Sequence, residues 1–254
     1  MALKTPGEID AMREAGRVVA QALQACREAA EVGVTMKQLD QVARDVIFGA
    51  GATSPFLNYH PQWAPTPFAG VICASVNDEV VHGVPTDRAI EPGDLVSIDC
   101  GATLDGWTGD SATSFVVGDA RPEDLELIAA TEQALAAGIA AATVGSHVGD
   151  IGYAVDRIAR KGRYGNLEDH GGHGIGHTMH EDPFIPNEGR RRKGLELREG
   201  LTIAIEPMFL LGGSGRYRHA ADGWTLLSAD GSRAAHVEHT IAVTADGPRI
   251  LTAL

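Results

Sequence analysis

The sequence predicts an α+β fold, in which a pair of helices is followed by antiparallel strands and the same succession then runs a second time within 254 residues. Three observations carry this reading. Capping boxes open helices near residues 5 and 35, the hydrophobic pattern changes to two-residue alternation after residue 70, and phrases of the first half return in the second.

Thr5, Pro6 and Glu8 form a capping box with proline at the first helical position, which starts a helix whose buried stripe is Ile9, Met12, Val19, Leu23 and Cys26. Thr35 caps a second helix, with Gln38 at the capping-box position and Leu39, Val42 and Val46 inward. The following "GATSPFLNYHPQWAPTPFAG" is rich in glycine and proline and reads as a long loop, a feature that in compact domains is usually functional or mobile. "VICASV" is a strand, and "GDLVSIDCGATLDGWTGDSATSFVV" reads as two more around a turn at Asp105-Gly106.

The pattern then restarts. Pro122, Leu125, Ile128, Ala129, Leu135 and Ile139 mark a long helix, and "VGSHVGDIGYAVDRIA" echoes the earlier "VGVTMKQLDQVARDVI". "GLTIAIE" at 200–206 matches "GDLVSID" at 93–99, with glycine first, isoleucine sixth and an acid seventh. The short turn "GDARPED" leaves no linker between the halves. The expectation is a single domain over 1–254, with halves of roughly 1–118 and 119–254 sharing one core.

At 44% hydrophobic and 22% charged residues the composition is that of a globular protein, which excludes disordered and fibrous classes. No apolar run is long enough to cross a bilayer and "MALKTPGEID" has no signal-peptide h-region, so the expected location is the cytoplasm, without membrane association. Cys26, Cys73 and Cys100 are odd in number and widely spaced, which suggests neither a disulfide framework nor a zinc ribbon. A net charge of −13 disfavours general nucleic-acid binding. The run "RRRK" at 190–193 reads as a solvated loop, with a docking patch for an anionic surface such as a ribosome as the alternative.

The chemistry-bearing residues are histidines and acids. "HGGHGIGHTMHEDP" places His173 and His177 four apart, the spacing of helical metal ligands, but four glycines in the same window oppose a helix. A metal bound here must recruit ligands from elsewhere. In "LVSIDCG", Asp99 stands opposite the face of Val96, Ile98 and Cys100, and a turn near 104–106 returns Asp110 close to it. Direct opposition of the two aspartates needs a wider loop or a bulge, because a two-residue turn shifts the pairing; the plain alternative is a pair of solvated turn residues. Glu206 lies opposite the face of Ile203 and Ile205, and Glu238 shares a face with His236 and Thr240. If the repeat brings the strand pairs together, four carboxylates converge and their repulsion calls for two divalent cations. Oxygen donors with one imidazole suit manganese, iron, cobalt or zinc, and the bottom-up reading is a two-metal hydrolase.

The set "SIDCG…GDS", "GGHGIGHTMHEDP", "IAIEPM" and "VEHT", in this order, resembles the type I methionine aminopeptidases over nearly the whole chain. The resemblance implies the pita-bread fold, an antiparallel sheet with helices and an internal pseudo-twofold. It implies Asp99, Asp110, His173, Glu206 and Glu238 as ligands of two divalent ions (cobalt, manganese, iron or zinc), with Asp110 and Glu238 bridging. By the same resemblance His82, in "NDEVVHGVP", touches substrate near the scissile bond, His180 hydrogen-bonds the peptide carbonyl, and Glu206 doubles as proton shuttle. Tyr59, Met179 and Trp224 would line the side-chain pocket with a contribution from Cys73, and Trp63 or Phe68 would enter it from the long loop. His170, His177, His236 and His239 take no assigned role.

The implied function is removal of N-terminal methionine from nascent proteins when the second residue is small, by a monomer acting on peptide N-termini, in transient contact with the ribosome and with no specific nucleic acid. Dipeptidases cleaving before proline share the ligands but usually carry a separate N-terminal domain, whereas here the first helix begins at residue 5 or 6. Type II enzymes carry a helical insertion between the histidine and the first glutamate, and the interval here is 206 − 173 = 33 residues. A metal-free binding protein on this scaffold is the non-enzyme alternative, and such relatives lose ligands that are all present here.

Overall fold

Both predicted capping boxes form. The backbone N–H groups of Glu8 and Gln38 donate to Thr5 Oγ1 and Thr35 Oγ1 at 3.4 and 3.2 Å, and the Glu8 and Gln38 side chains accept from the cap N–H groups at 2.7 and 2.8 Å. Each cap thereby satisfies two of the donors that a helix N-terminus leaves free. The computed structural model describes residues 2–254. Its order is α1 (Pro6–Ala29), α2 (Met36–Gly49), β1 (Ile72–Val76), β2 (Glu79–Val81), β3 (Asp94–Leu104), β4 (Trp107–Val117), α3 (Pro122–Ala141) and α4 (Val148–Gly162). Short strands follow: β5 (Gly165–Asn166), β6 (Gly171–Gly174), β7 (Glu181–Pro186), β8 (Thr202–Ile205), β9 (Met208–Leu210) and β10 (Tyr217–His219). The chain ends with β11 (Leu226–Ser228), β12 (Ala234–His236), β13 (Glu238–Thr244) and β14 (Gly247–Ile250). Among the described residues, no helix is long and apolar enough to cross a membrane.

An antiparallel eight-stranded sheet in the order β1-β3-β4-β13-β8-β6-β7, with β14 also on β13, joins strands from both halves of the chain. Register sets its two faces. Ile98 pairs with Thr113, Ser111 with His239, His239 with Ile205 and Ile241 with Ile203, so these residues share one face. On that face Val96, Ile98, Cys100 and Phe115 pack with α1 and α2, while Ile203, Ile205, Ile241 and Val243 pack with Leu135 of α3 and Ile151 of α4. Burying large aliphatic side chains at roughly 1.5–3 kcal/mol each holds both helix pairs to one side. The opposite face carries the acids, with apolar residues such as Leu95 and Val116 at one end packing against Leu127 and Ile128 of α3.

The internal repeat has a conformational counterpart in its glycines. Gly33 and Gly145 open the helix phrases at φ 92° and 83°, and Gly93 and Gly200 open the strand phrases at 85° and 86°. All four positions need a left-handed backbone that a Cβ disfavours, which accounts for the glycine in each echo.

Two details of the helix stripes differ from expectation. Val42 and Val46 are only half-buried. Leu125, at 52%, and Ala129 are exposed, and Leu127, between them, is buried instead. Helix α3 is apolar on most of its circumference, so its sequence does not select the face that packs.

Candidate metal centre and active site

Five neighbouring strands each bring one side chain to the polar face: Asp99 from β3, Asp110 from β4, Glu238 from β13, Glu206 one residue beyond β8, and His173 from β6. The predicted direct opposition of Asp99 and Asp110 does not occur. Asp105 and Gly106 take φ of 49° and 81°, the positive pair that a two-residue primed turn requires, and no wider loop or bulge intervenes. Leu104 therefore pairs with Trp107, Asp99 with Ala112 and Asp110 with Gly101. The aspartates are diagonal neighbours on one face, close enough to meet through their side chains. Ala112 also pairs with Glu238, so a single methyl group stands between acids of the two halves.

His173 Nε2 lies 3.7 Å from Glu206 Oε1 and 3.9 Å from Asp110 Oδ2. Its Nδ1 is 2.9 Å from the Gly174 carbonyl oxygen, which can only accept; Nδ1 thus carries the proton and Nε2 turns its lone pair to the acids. The adjoining glycines serve close packing of β6. A Cβ on Gly172 would collide with the Ala204 carbonyl and one on Gly174 with that of Asp182.

Reading from sequence left out two residues at this centre. His236 is 2% exposed, with Nε2 at 3.6 Å from Glu206 Oε2 and 3.9 Å from Glu238 Oε2. The signal for it was present, since His236 and Glu238 are two apart on alternating chain. Asn187 is buried and donates from Nδ2 to the Glu206 carbonyl at 2.9 Å, while Asn166 Nδ2 donates to its backbone oxygen at 2.8 Å. No pattern in the sequence announces that chain of contacts.

Burial, reinforced by the Glu206 charge, pushes Asp110 up to about 8, and burial takes Glu206 to about 8 as well. Asp99 and Glu238 rise well above the carboxylate range, from burial first and then from the neighbouring acids. Burial lowers His173 to about 4 and His236 to about 3, so both rings are neutral near pH 7. Among the described residues, Asp99 Oδ1, Asp110 Oδ1, Glu238 Oε1 and His236 Nε2 are buried with no hydrogen-bond partner. Two three-donor groups, Asp110–His173–Glu238 and Glu206–His236–Glu238, have ligand atoms within 4.8 Å of one another. Mutually repelling carboxylates with neutral imidazoles fit divalent cations of the first transition row. Cys73 pairs with Asp99 across β1 and β3, but burial and the Asp99 and Asp110 charges hold its thiol well above its ordinary value, which makes it a poor thiolate donor.

The cluster forms part of the wall of a cavity of about 850 Å³. Tyr59, Cys73, Met179 and Trp224 all line this cavity, as do Trp63 and Phe68 from the long loop. Trp224 organises that loop: its ring lies 5.1 Å from Phe68 and 5.0 Å from Trp63, and its Nε1–H donates to the Thr66 carbonyl at 3.0 Å. His82 reaches the cavity from a left-handed backbone at φ 61°, an unusual conformation for a residue with a Cβ. Burial, with further contributions from the neighbouring histidines, lowers it to about 3. His180 is exposed on the cavity wall, its ring centroid 4.4 Å from that of His173 and its Nδ1 3.3 Å from the Tyr59 hydroxyl.

The remaining histidines of the stretch separate. His170 also lines the cavity, 6.3 Å from the His82 ring. His177 instead stacks on Trp107 at 3.8 Å and its Nδ1–H donates to the Gly106 carbonyl, bracing the hairpin turn. His239 lies on the other face, with Nδ1 at 2.9 Å from Thr252 Oγ1. The basic run 190–193 is an exposed loop.

A model of the metallopeptidase family M24 matches residues 10–245. "Methionine aminopeptidase 1" of Mycobacterium tuberculosis is 50% identical over 98% of this chain and 94% of its own length, and that of Bacillus subtilis is 41% identical over 98% of both. The crystal structure of a methionine aminopeptidase from Thermotoga maritima superposes with a TM-score of 0.95 at 36% identity, covering both chains completely. A prolidase from Pyrococcus furiosus shares the fold alone, at a TM-score of 0.76 and 24% identity over 99% of this chain and 65% of that one. The architecture is thus the pita-bread fold that the motifs implied, and a match this long, around carboxylates and imidazoles that could hold metal, leads to one assignment: the chain belongs to the metallopeptidase family M24.

Proposed function

We propose that this hydrolase removes the N-terminal methionine of peptides and nascent proteins whose second residue is small. The observation that carries the proposal is the juxtaposition, in one cavity, of the carboxylate cluster with an apolar pocket of aromatic and sulfur-bearing side chains. Tyr59, Phe68, Cys73, Met179 and Trp224 offer an unbranched thioether the polarisable contacts it favours. The sequence resemblance supports the limit to small second residues.

Asp99, Asp110, His173, Glu206 and Glu238 would hold two divalent cations, which when bound supply a Lewis acid and an activated water. The protein residues do the rest. Glu206, its carboxylate ionised beside the cations, would take the proton of the attacking water and pass it to the leaving amine. His180, exposed on the cavity wall and braced by the Tyr59 hydroxyl, would donate to the scissile carbonyl oxygen as charge develops there. His82, neutral near pH 7, would hydrogen-bond the peptide beside the scissile bond. We read the chain as one catalytic unit over 1–254, monomeric and acting in the cytoplasm at the N-termini of nascent chains; the exposed 190–193 loop is the candidate for transient ribosome contact.

Peptides beginning Met-Ala, Met-Lys and Ala-Pro, incubated with metal-loaded protein, test the proposal. Methionine released from Met-Ala and little from Met-Lys is the expected result. Alanine released from Ala-Pro without methionine release would replace it with cleavage before proline.

A further inference from the structure

His236 faces the carboxylates on the same terms as His173. Each presents Nε2, and the distances correspond: 3.7 and 3.9 Å from His173 to Glu206 Oε1 and Asp110 Oδ2, 3.6 and 3.9 Å from His236 to Glu206 Oε2 and Glu238 Oε2. The two rings thus address different oxygens of one carboxylate. Separations of this size exceed a hydrogen bond, so His236 is not simply donating to either glutamate. Among the described residues its buried Nε2 has no hydrogen-bond partner, and it shares with Glu206 and Glu238 a compact three-donor arrangement like that of Asp110, His173 and Glu238. The position is rigid. The His236 N–H donates to Ser114 Oγ at 3.0 Å and its carbonyl accepts from the same hydroxyl at 2.8 Å, which ties the residue to β4 beside Asp110.

We propose that His236 is a nitrogen ligand of the metal centre, sharing one divalent cation with Glu206 and Glu238, so that the centre holds two imidazoles. The proposal rests on reading the carboxylate cluster as a two-cation site, and adds a sixth residue to the five inferred from sequence. It also gives Glu206 one imidazole neighbour on each side, a pairing that would fix the orientation of its carboxylate.

The test uses the full chain loaded with two equivalents of cobalt(II). X-ray absorption should count about one imidazole per cobalt in the unaltered protein and about half that in His236→Gln. Titration of the metal-stripped proteins should show one of the two equivalents weakened by roughly 100-fold in His236→Gln, at or beyond the upper end of what loss of a supporting hydrogen bond costs. Two cobalt ions bound with a single imidazole in the unaltered protein, or unchanged imidazole count and affinity in the variant, would overturn the assignment while leaving the two-cation reading intact. If the unaltered protein binds no second cation, the two-cation reading fails and the assignment with it. Should His236→Gln fail to fold, as judged by circular dichroism, the imidazole count of the unaltered protein decides alone.

Discussion

The two halves of the molecule deliver their acids by different means. Asp99 and Asp110 sit inside strands of eleven residues each, in a hairpin whose register continues unbroken from Asp94–Val117 to Leu104–Trp107. Glu206 and Glu238 sit at strand ends, one just past β8 and the other first in β13, and are steadied by single contacts to their carbonyl groups from Asn187 and Ser111. Short side chains on a continuous ladder give fixed charges. Longer side chains at strand ends can adjust, which suits the proton transfer proposed for Glu206. On the proposed mechanism, the aspartates of the first half hold charge in place, and Glu206 of the second half moves the proton.

The largest effects should come from exchanging these properties. Asp110→Asn is expected to lower kcat/KM by roughly 10³-fold, about 4 kcal/mol, and to weaken cation binding in direct titration. Asp110→Glu should be nearly as damaging, because the ladder gives no slack, whereas Glu206→Asp should keep measurable turnover; equal tolerance at the two positions would break the comparison. Next is His180→Ala, expected to lower kcat by roughly 10²–10³-fold. Cation stoichiometry should stay the same, since His180 lies outside both donor groups; lost cation binding would move His180 into the metal centre.

Asn187→Ala should reduce kcat by roughly 10-fold and destabilise the fold by about 1 kcal/mol, as the Glu206 carbonyl loses its donor. A wild-type rate would mean that Glu206 needs no such support. The metal-stripped protein should also lose thermal stability as pH rises from about 6.5 to about 8. Asp110 and Glu206 bind protons in the folded state up to about 8, whereas in the unfolded chain they release them near 4. Their stabilisation is therefore complete at low pH and lost as pH passes through the folded values. The lowered His82, His173 and His236 act in the opposite direction only below about 6.5, so the window above it reports the acids. Thermal melts with and without cation check this, and a flat or rising Tm in the stripped protein would contradict it. The smallest effect is expected for Trp63→Ala: Trp63 is 59% exposed, so stability should change by no more than about 0.5 kcal/mol, and KM for methionyl peptides by a few-fold.

Much of this arrangement was legible in local patterns. The capping boxes at Thr5 and Thr35, the turn at Asp105-Gly106 and the alternation that turns Asp99, Glu206 and Glu238 away from the helices all rest on contacts within a few residues. The register of the aspartates is not legible locally: a displacement of two residues keeps the same face, so the hydrophobic pattern cannot distinguish opposed from diagonal partners. His236 passed unassigned for a related reason: alternation gave its face, but not which distant strand end would stand across from it. Leu125 and Ala129 face solvent on a helix that is apolar almost all round, where packing alone selects the buried side.

By itself, then, the sequence determined the elements, the face each acid occupies, the repeat marked by Gly33, Gly93, Gly145 and Gly200, and through its motifs the family. Those properties follow from backbone sterics and short-range hydrogen bonds, which act between residues near in sequence. Only the tertiary structure decided that Ala112 separates acids of the two halves, that Asn187 holds the Glu206 backbone, and that His173 and His236 address opposite oxygens of one carboxylate. Those distances depend on how five strands from remote parts of the chain align edge to edge, and that alignment is fixed by the packing of two helix pairs against one shared sheet.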